Sequence, residues 1–156
     1  MIKRVVLFVL LLSTLLLAEN NRTIPLDKLF QTDLCIKEKI FKIWLALDSK
    51  QKEEGLSLLS SDEVSFEEGM LFIYPYEEKL SFWMKDTFFD LDIAYIKSDG
   101  RVIDMFTMPK MTEKAFSSSE KVRYVLELRA GEFEKMGLKL GEKIVFSSIV
   151  KGFSKP

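Results

Sequence analysis

The segment richest in chemically useful side chains runs from Trp83 to Thr87. If it is extended as far as Lys85, the alternation of a strand places Trp83 and Lys85 on one face. Asp86 and Thr87 then add a carboxylate and a hydroxyl directly after the ammonium group. An aromatic wall with convergent polar groups suits a small polar ligand. The favoured interpretation of this segment by itself is nevertheless a core tryptophan, past which Lys85 reaches an acid such as Asp86 or Glu127.

Two further acids lie in otherwise apolar segments. Asp92 alternates onto the face of Ala94, and Glu127 onto the face of Val125. A carboxylate on an inward strand face is costly unless it is paired or hydrogen-bonded. Each acid could serve as a general acid or base with a shifted pKa, but a structural salt bridge with Lys85, Arg101 or Arg129 is the favoured interpretation. The predicted ligand-binding residues are Trp83, Lys85, Asp86, Thr87, Asp92 and Glu127.

The residue inventory excludes most familiar enzyme classes. The chain has no histidine, which removes histidine-based triads and histidine-ligated metals. Its one cysteine, Cys35, allows no intrachain disulfide and no thiolate cluster. We expect Cys35 to be a small buried hydrophobe, although it could pair between chains or act as a nucleophile. Asp86, Asp90 and Asp92 do not follow a calcium-loop pattern, so we predict neither a metal nor another cofactor.

The charge balance bears on the partners. With 23 basic and 24 acidic residues, the formal net charge is −1. Proteins that bind nucleic acid or an anionic membrane surface carry a basic patch or stripe. We therefore expect neither partner, apart from any membrane contact made by an uncleaved N-terminal segment.

Short segments of strand character must position these side chains. Alternating or apolar segments predict strands at 41–47, 69–74, 80–84, 91–97, 101–107, 122–129 and 144–150. Asp99-Gly100 predicts a hairpin turn between the two strands beside it, and residues 80–84 are expected to pair with the preceding strand. Short helices are predicted at 50–54 and 130–136. This pattern favours a mostly β domain, a small barrel or sandwich-like fold with two short helices.

The N-terminus has the pattern of a targeting segment. Lys3 and Arg4 precede an apolar run that ends at Ala18, before polar residues begin. This is typical of a secretory signal cleaved after Ala18, and the run is short for a membrane span of about 20 residues. Residues 1–18 are therefore predicted to be a signal peptide or an N-terminal anchor, and 19–39 a connector that could add an edge strand. Either outcome places the domain at 40–150 outside the cytoplasm, periplasmic or secreted.

Several motifs in order resemble the DUF192 family over residues 40–149. They are Glu68-Gly69-Met70-Leu71-Phe72, Phe82-Trp83-Met84-Lys85-Asp86-Thr87, Leu91-Asp92-Ile93-Ala94-Tyr95-Ile96, Asp99-Gly100-Arg101-Val102, Tyr124–Gly131 and Gly137–Lys143. The family hallmark reads Trp-Met-Lys-Asn-Thr, and Asp86 stands at its Asn position. The chain lacks the methionine and arginine that usually follow Gly55-Leu56, and Asp90 replaces the usual proline. The resemblance implies a compact barrel-like or sandwich domain, often behind a signal peptide, and supplies no activity.

Three functions remain open from the sequence. The favoured one is a non-catalytic, exported binding module for a small polar ligand or an envelope protein, centred on Trp83, Lys85 and Asp86. The second is a purely structural or interaction domain. The third is a hydrolase that uses Asp92 or Glu127 as acid or base, with Lys85 as an electrostatic stabiliser.

Overall fold

The computed structural model describes residues 22–153, which form a mostly β domain. Its strands are β1 (Gln31–Ile36), β2 (Lys39–Ala46), β3 (Glu68–Glu78), β4 (Ser81–Phe82), β5 (Leu91–Ile96), β6 (Val102–Met108), β7 (Phe116–Ser117) and β8 (Val122–Arg129). Its helices are α1 (Ser49–Glu54), α2 (Glu132–Lys135) and α3 (Ser148–Phe153), and a 3-10 turn covers Leu26–Lys28. The predicted mostly β class is confirmed.

Six strands form one sheet in the order β1-β2-β3-β8-β5-β6. The β2–β3 pair is parallel and the other neighbours are antiparallel. A parallel pair needs a crossover connection, and α1 lies in the one that joins β2 to β3. The ends of the order, β1 and β6, are not paired with each other, so the sheet is open rather than a closed barrel. β4 and β7 form a separate two-stranded ribbon.

Both faces of the sheet are buried, which explains the nearly continuous apolar sequence of β5 and β8. On the helix face, strand residues such as Ile43 and Leu126 pack against Phe133 of α2 and Val150 of α3. On the opposite face, which we call the loop face, strand residues such as Phe72 pack against residues of the loops and the ribbon: Leu56, Leu59, Val64, Met84, Phe89 and Phe116. The loop face is therefore covered mainly by loops and the ribbon, with α1 beside them.

Two predicted strands differ from the structure. Residues 80–84 do not pair with β3; Ser81 and Phe82 pair instead with Ser117 and Phe116. The predicted strand at 144–150 is wrong, because residues 144–147 form no strand and Ser148 begins α3, where the Ser147 hydroxyl accepts a hydrogen bond from the Val150 amide at 3.4 Å. Residues 22–153 thus contain three short α-helices where the sequence predicts two.

Other expectations concern the first third of the chain. Cys35 is exposed on edge strand β1, so the expectation of a buried hydrophobe is wrong. β1 lies within the segment expected to be a connector with an edge strand. The targeting segment at 1–18 lies outside the described residues. Across residues 22–153, no helix is both long and apolar enough to cross a membrane.

Candidate functional site

A cavity of about 380 Å³ opens on the loop face of the sheet, between the end of α1 and the loop that follows β4. Its wall contains charged, hydroxyl and aromatic side chains, and its floor lies on β3 and β8. The lining includes Lys52, Glu53, Phe72, Tyr74, Phe82, Trp83, Lys85, Asp86, Thr87 and Glu127. Five of the six predicted ligand-binding residues therefore line one cavity.

Local sequence signals place α1 at the rim of the cavity. The Asp48 carboxylate accepts a hydrogen bond from the Gln51 amide at 2.9 Å, and the Gln51 side chain accepts one from the Asp48 amide in return. This capping box fixes where α1 begins. Gly55 ends the helix with φ of +51°, a conformation that side chains disfavour. Lys52 and Glu53 are thereby held beside the opening.

The loop after β4 is held by its backbone rather than by strand pairing. Met84 is buried and its amide donates to the Thr112 carbonyl at 3.0 Å. Asp86 has φ of +54°, and its carbonyl accepts from the Leu58 amide at 2.8 Å. Asn and Asp tolerate this left-handed conformation better than most residues, which explains why Asp can stand at the family's Asn position. Thr87 is buried and closes the turn onto Met84.

Trp83 lies at the mouth of the cavity. Trp83 is 56% exposed, so the favoured interpretation of this residue as a core tryptophan is wrong. The Lys85 ammonium lies 5.5 Å from the centroid of the Trp83 ring. A bulky indole of this exposure, with a cation over the ring, is available to a second flat or cationic group. This contact agrees with the prediction that Trp83 and Lys85 lie on one face, although β4 ends at Phe82 and neither residue is in a strand.

Glu127 forms the polar part of the floor. Its residue is only 4% exposed, and it pairs across the sheet with Met70 of β3 and Ile93 of β5. Burial raises the pKa of the Glu127 carboxyl to about 8, with no hydrogen bond or cation offsetting it. The predicted salt bridge to Lys85 or Arg129 is wrong for this acid. Arg129 donates instead to the carbonyls of Ser61 and Val64.

Asp92 is not part of the cavity. It is on the helix face of the sheet, where one carboxylate oxygen accepts from the Thr107 hydroxyl at 2.7 Å. The other oxygen accepts from the amides of Gly131 at 2.9 Å and Phe133 at 3.1 Å. The expected salt bridge is again wrong, because neutral donors at the start of α2 satisfy the charge. Asp92 and Glu127 therefore cannot act together on one substrate.

Sequence reasoning did not find Lys52, Phe72 and Tyr74 as cavity residues. Lys52 Nζ lies 4.5 Å from the centroid of the Tyr74 ring, and burial raises the pKa of the Tyr74 hydroxyl to about 12. The alternation of β3 places Phe72 and Tyr74 on one face. Whether they lie close to Glu127 depends on how β3 pairs with β8, in which Phe72 is opposite Val125 and Met70 is opposite Glu127. The alternation of residues along one strand does not predict this pairing.

The arrangement suits binding more than metal chemistry. Within residues 22–153, no three Asp, Glu or Cys side chains are grouped so as to hold a metal ion. The cavity instead combines aromatic rings, two ammonium groups at its rim and a neutral or ionised carboxyl at its floor, depending on pH. Such a set can orient a small molecule by stacking and hydrogen bonding.

Two solved structures resemble the domain. One is a protein of unknown function from Novosphingobium aromaticivorans DSM 12444, with a TM-score of 0.70 and 26% identity, covering 79% of this chain and 90% of that one. The other, described as a candidate transcription regulator, comes from Sinorhizobium meliloti 1021. It has a TM-score of 0.65 and 32% identity, covering 68% of this chain and 81% of that one. No curated protein is detectably similar to the chain in sequence.

The sequence profile of one family matches residues 32–146. The matched range includes six aromatic and charged residues of the cavity on β3, β8 and the loop after β4. It also covers the six-stranded sheet from the second residue of β1 through β8. The family is described as an uncharacterised conserved region (Uncharacterized ACR). The chain belongs to the DUF192 family.

Proposed function

We propose that this chain is an exported, non-catalytic binding module for a small polar ligand, and that the ligand occupies the cavity beneath Trp83. The observation that carries the proposal is the convergence of Trp83, Lys85, Asp86, Thr87 and Glu127 on one opening of about 380 Å³. A volume of this size lies in the range of ordinary small-molecule sites. Export is supported by the sequence pattern of residues 1–18.

The competing functions have weaker support. Of the two acids named for a hydrolase, Asp92 lies on the opposite face of the sheet from the cavity, which leaves Glu127 with Lys85 as the only pair for that function within the described residues. The Sinorhizobium protein is described as a candidate transcription regulator; direct binding of this chain to nucleic acid is opposed by the slight excess of acidic over basic residues. A purely structural role leaves an exposed tryptophan and an unpaired buried carboxyl around one opening without an explanation.

A thermal-shift screen with sugars, nucleotides and amino acids tests the binding function. We expect one class to raise the melting temperature of the domain; at about 100 times its Kd, a ligand adds about 2.7 kcal/mol, or roughly 9 °C. Trp83→Ala should abolish most of that shift. Tyr76→Ala is the matched control, because Tyr76 is a 65% exposed aromatic residue that does not line the cavity.

Two results would contradict the binding function. One is the absence of any stabilisation across the three classes. The other is an equal shift in the Trp83→Ala and Tyr76→Ala variants, which would place the ligand elsewhere on the domain.

A further inference from the structure

The floor of the cavity contains a buried acid that the protein leaves without a partner. Glu127 is 4% exposed and faces the cavity, and no described residue donates a hydrogen bond or an ion pair to its carboxyl. The other two buried acids in the described range differ. Asp92 accepts three hydrogen bonds, and Glu132 is paired with Lys39 and Lys135. Across residues 22–153 no fully buried side-chain oxygen lacks a hydrogen-bond partner, so the Glu127 oxygens open to the cavity, where a group supplied from outside can pair with them.

Aromatic rings surround the approach to this carboxyl. Phe72, Tyr74, Phe82 and Trp83 all line the cavity, and Phe72 meets Phe82 edge to face with centroids 4.8 Å apart. The faces of such rings carry negative potential and attract cations. Two of them already do so within the protein, since Lys52 lies over Tyr74 and Lys85 lies over Trp83. Rings beside an acid form the surroundings in which organic ammonium groups are bound.

We propose that the ligand of this cavity carries an ammonium group, which passes the aromatic rings and forms an ion pair with the Glu127 carboxylate. This inference rests on the proposed binding function and names its ligand class, small organic amines. Glu127 supplies the counter-charge, and the rings supply cation–π attraction along the wall. A cation favours the ionised form of this carboxyl, which burial alone disfavours, whereas a neutral polyol does not favour ionisation and an anion would be repelled by the ionised form.

The groups around Glu127 are consistent with this assignment. Those facing it or lying beside it on the packed elements are Lys52 and Glu53 of α1, Tyr74 of β3, Lys85 and Asp86 after β4, Tyr95 of β5 and Arg129 of β8 itself. Glu54 also lines the cavity, but it is engaged with Arg22. Burial raises the pKa of both Tyr74 and Tyr95, so neither phenol ionises near neutral pH. Neither lysine contributes to the pKa of Glu127, which leaves its charge open to a cation that enters the cavity.

Binding of an ammonium group is coupled to one proton. In the empty cavity Glu127 is protonated below about pH 8. When R–NH₃⁺ binds, the Glu127 carboxyl releases its proton to solvent, and the resulting carboxylate pairs with the cation. The apparent affinity should therefore rise about tenfold per pH unit up to pH 8 and level off above it. Close to one proton should be released for each ligand bound at pH 7.

Calorimetry with matched probes tests the inference. Each probe set shares one carbon skeleton, butyl or 2-phenylethyl, and ends in an ammonium, a hydroxyl or a carboxylate group. Titrations in two buffers of different ionisation enthalpy count the protons released. We expect the ammonium member of at least one set to bind at least tenfold more tightly than its alcohol and carboxylate, with proton release at pH 7 that vanishes at pH 9.

Two variants complete the test. Glu127→Gln keeps the size and neutrality of the protonated acid, so it should fold; it should lower ammonium affinity at pH 8 at least tenfold and abolish proton release. Glu113→Gln is the matched control, because Glu113 is an exposed acid outside the cavity lining. Equal ammonium affinity in the two variants would overturn the inference.

The remaining outcomes separate the two proposals. If no ammonium probe binds, or if an alcohol binds as tightly as its amine, the ammonium assignment is overturned. Should a sugar or nucleotide still stabilise the protein through Trp83 in the thermal-shift screen, the binding function stands while its ligand class changes. If that screen also fails, both proposals fall.

Discussion

Two buried glutamates have carboxyl pKa values shifted in opposite directions, because their surroundings differ. Glu127 lies on the loop face with burial alone acting on it, and its pKa rises to about 8. Glu132 is equally buried on α2. Burial alone would raise its pKa too, but the ion pairs with Lys135 and Lys39 lower it below the ordinary value. The Glu132 carboxyl is therefore paired with lysines of the domain, while the Glu127 carboxyl faces the cavity.

We predict that Glu127 makes the domain less stable as the pH rises. Between its ordinary pKa of 4.5 and about 8, the folded state binds one proton more than the unfolded state. The free energy of unfolding should then fall by about 1.4 kcal/mol per pH unit from this group. Glu127→Gln removes that dependence. Urea denaturation of both proteins from pH 5 to pH 8.5 measures the difference.

Glu132→Gln provides the control for this pH series. Because the pKa of Glu132 is lowered, its contribution is present above its unfolded pKa and is lost only as the pH falls through its folded pKa. The variant should be destabilised by about 1–3 kcal/mol, with no trend between pH 5.5 and pH 8.5. If Glu127→Gln shows the same flat difference, the assignment of the titration to Glu127 is wrong.

At the scale of elements, Asp92 joins the sheet to α2. The residue lies in β5, while its carboxylate accepts from Thr107 on the neighbouring strand β6 and from two amides at the start of α2. The helix has only four residues and begins after Gly131, which has φ of +89°. A helix of this length has little stability of its own, so its position depends on this carboxylate.

We predict that Asp92→Ala lowers the free energy of unfolding by about 2–4 kcal/mol, because two amides and a hydroxyl lose their acceptor. Asp92→Asn should cost less, since its amide oxygen can still accept and its nitrogen can donate to the Thr107 hydroxyl. Ligand-induced stabilisation should be unchanged in Asp92→Asn. Denaturation and thermal-shift measurements check both points, and a loss of ligand response in Asp92→Asn would mean that Asp92 belongs to the site after all.

Most strands could be predicted because alternating or continuous apolar residues in the local sequence indicate which positions are buried. Leu91–Ile96 and Val122–Arg129 are apolar and β-branched, and Asp99-Gly100 marks the turn between β5 and β6. The residues at 144–150 look equally strand-like, yet a serine cap and packing of Val150 on the helix face favour a helix. The local sequence pattern does not distinguish a strand from a helix in a segment whose secondary structure depends on tertiary contacts.

The candidate site could be predicted only in part for the same reason. Trp83, Lys85, Asp86 and Thr87 are adjacent in sequence, so proximity alone groups them. Glu127 joins them only through the packing of the β4 loop over β8. The sequence predicts Asp92 and Glu127 in one site because both are acids in apolar strands, but the pairing of β5 with β8 places their side chains on opposite faces of the sheet. Assigning a strand residue to one face of a sheet requires register, which is a property of the whole fold.

At the scale of the whole molecule, the domain holds together without a disulfide. Its one cysteine is exposed on edge strand β1, and its stability comes from two apolar layers, one on each face of the sheet. The Tyr95 hydroxyl ties the ribbon to the sheet by donating to the Phe116 carbonyl at 2.6 Å. Such a domain can fold in an oxidising or a reducing compartment.

We predict that residues 1–18 direct the domain out of the cytoplasm. Cells that express the tagged full chain should yield protein outside the cytoplasm whose N-terminus is Glu19, because cleavage is expected after Ala18. A chain lacking residues 2–18 should stay in the cytoplasm. Fractionation with mass measurement distinguishes the outcomes: an uncleaved mass in the membrane fraction indicates an anchor, and equal cytoplasmic recovery of both chains would refute export.

The position of β8 has a consequence for when the chain can fold. β8 is the last strand in sequence, yet it lies between β3 and β5 and supplies the contacts that join the two halves of the sheet. A nascent chain that has not reached Arg129 has two strand groups with unpaired edges and no common core. The six-stranded sheet therefore cannot be completed until Arg129 has been synthesised, so a secretion machinery that engages the chain before then meets a domain that has not yet formed its sheet.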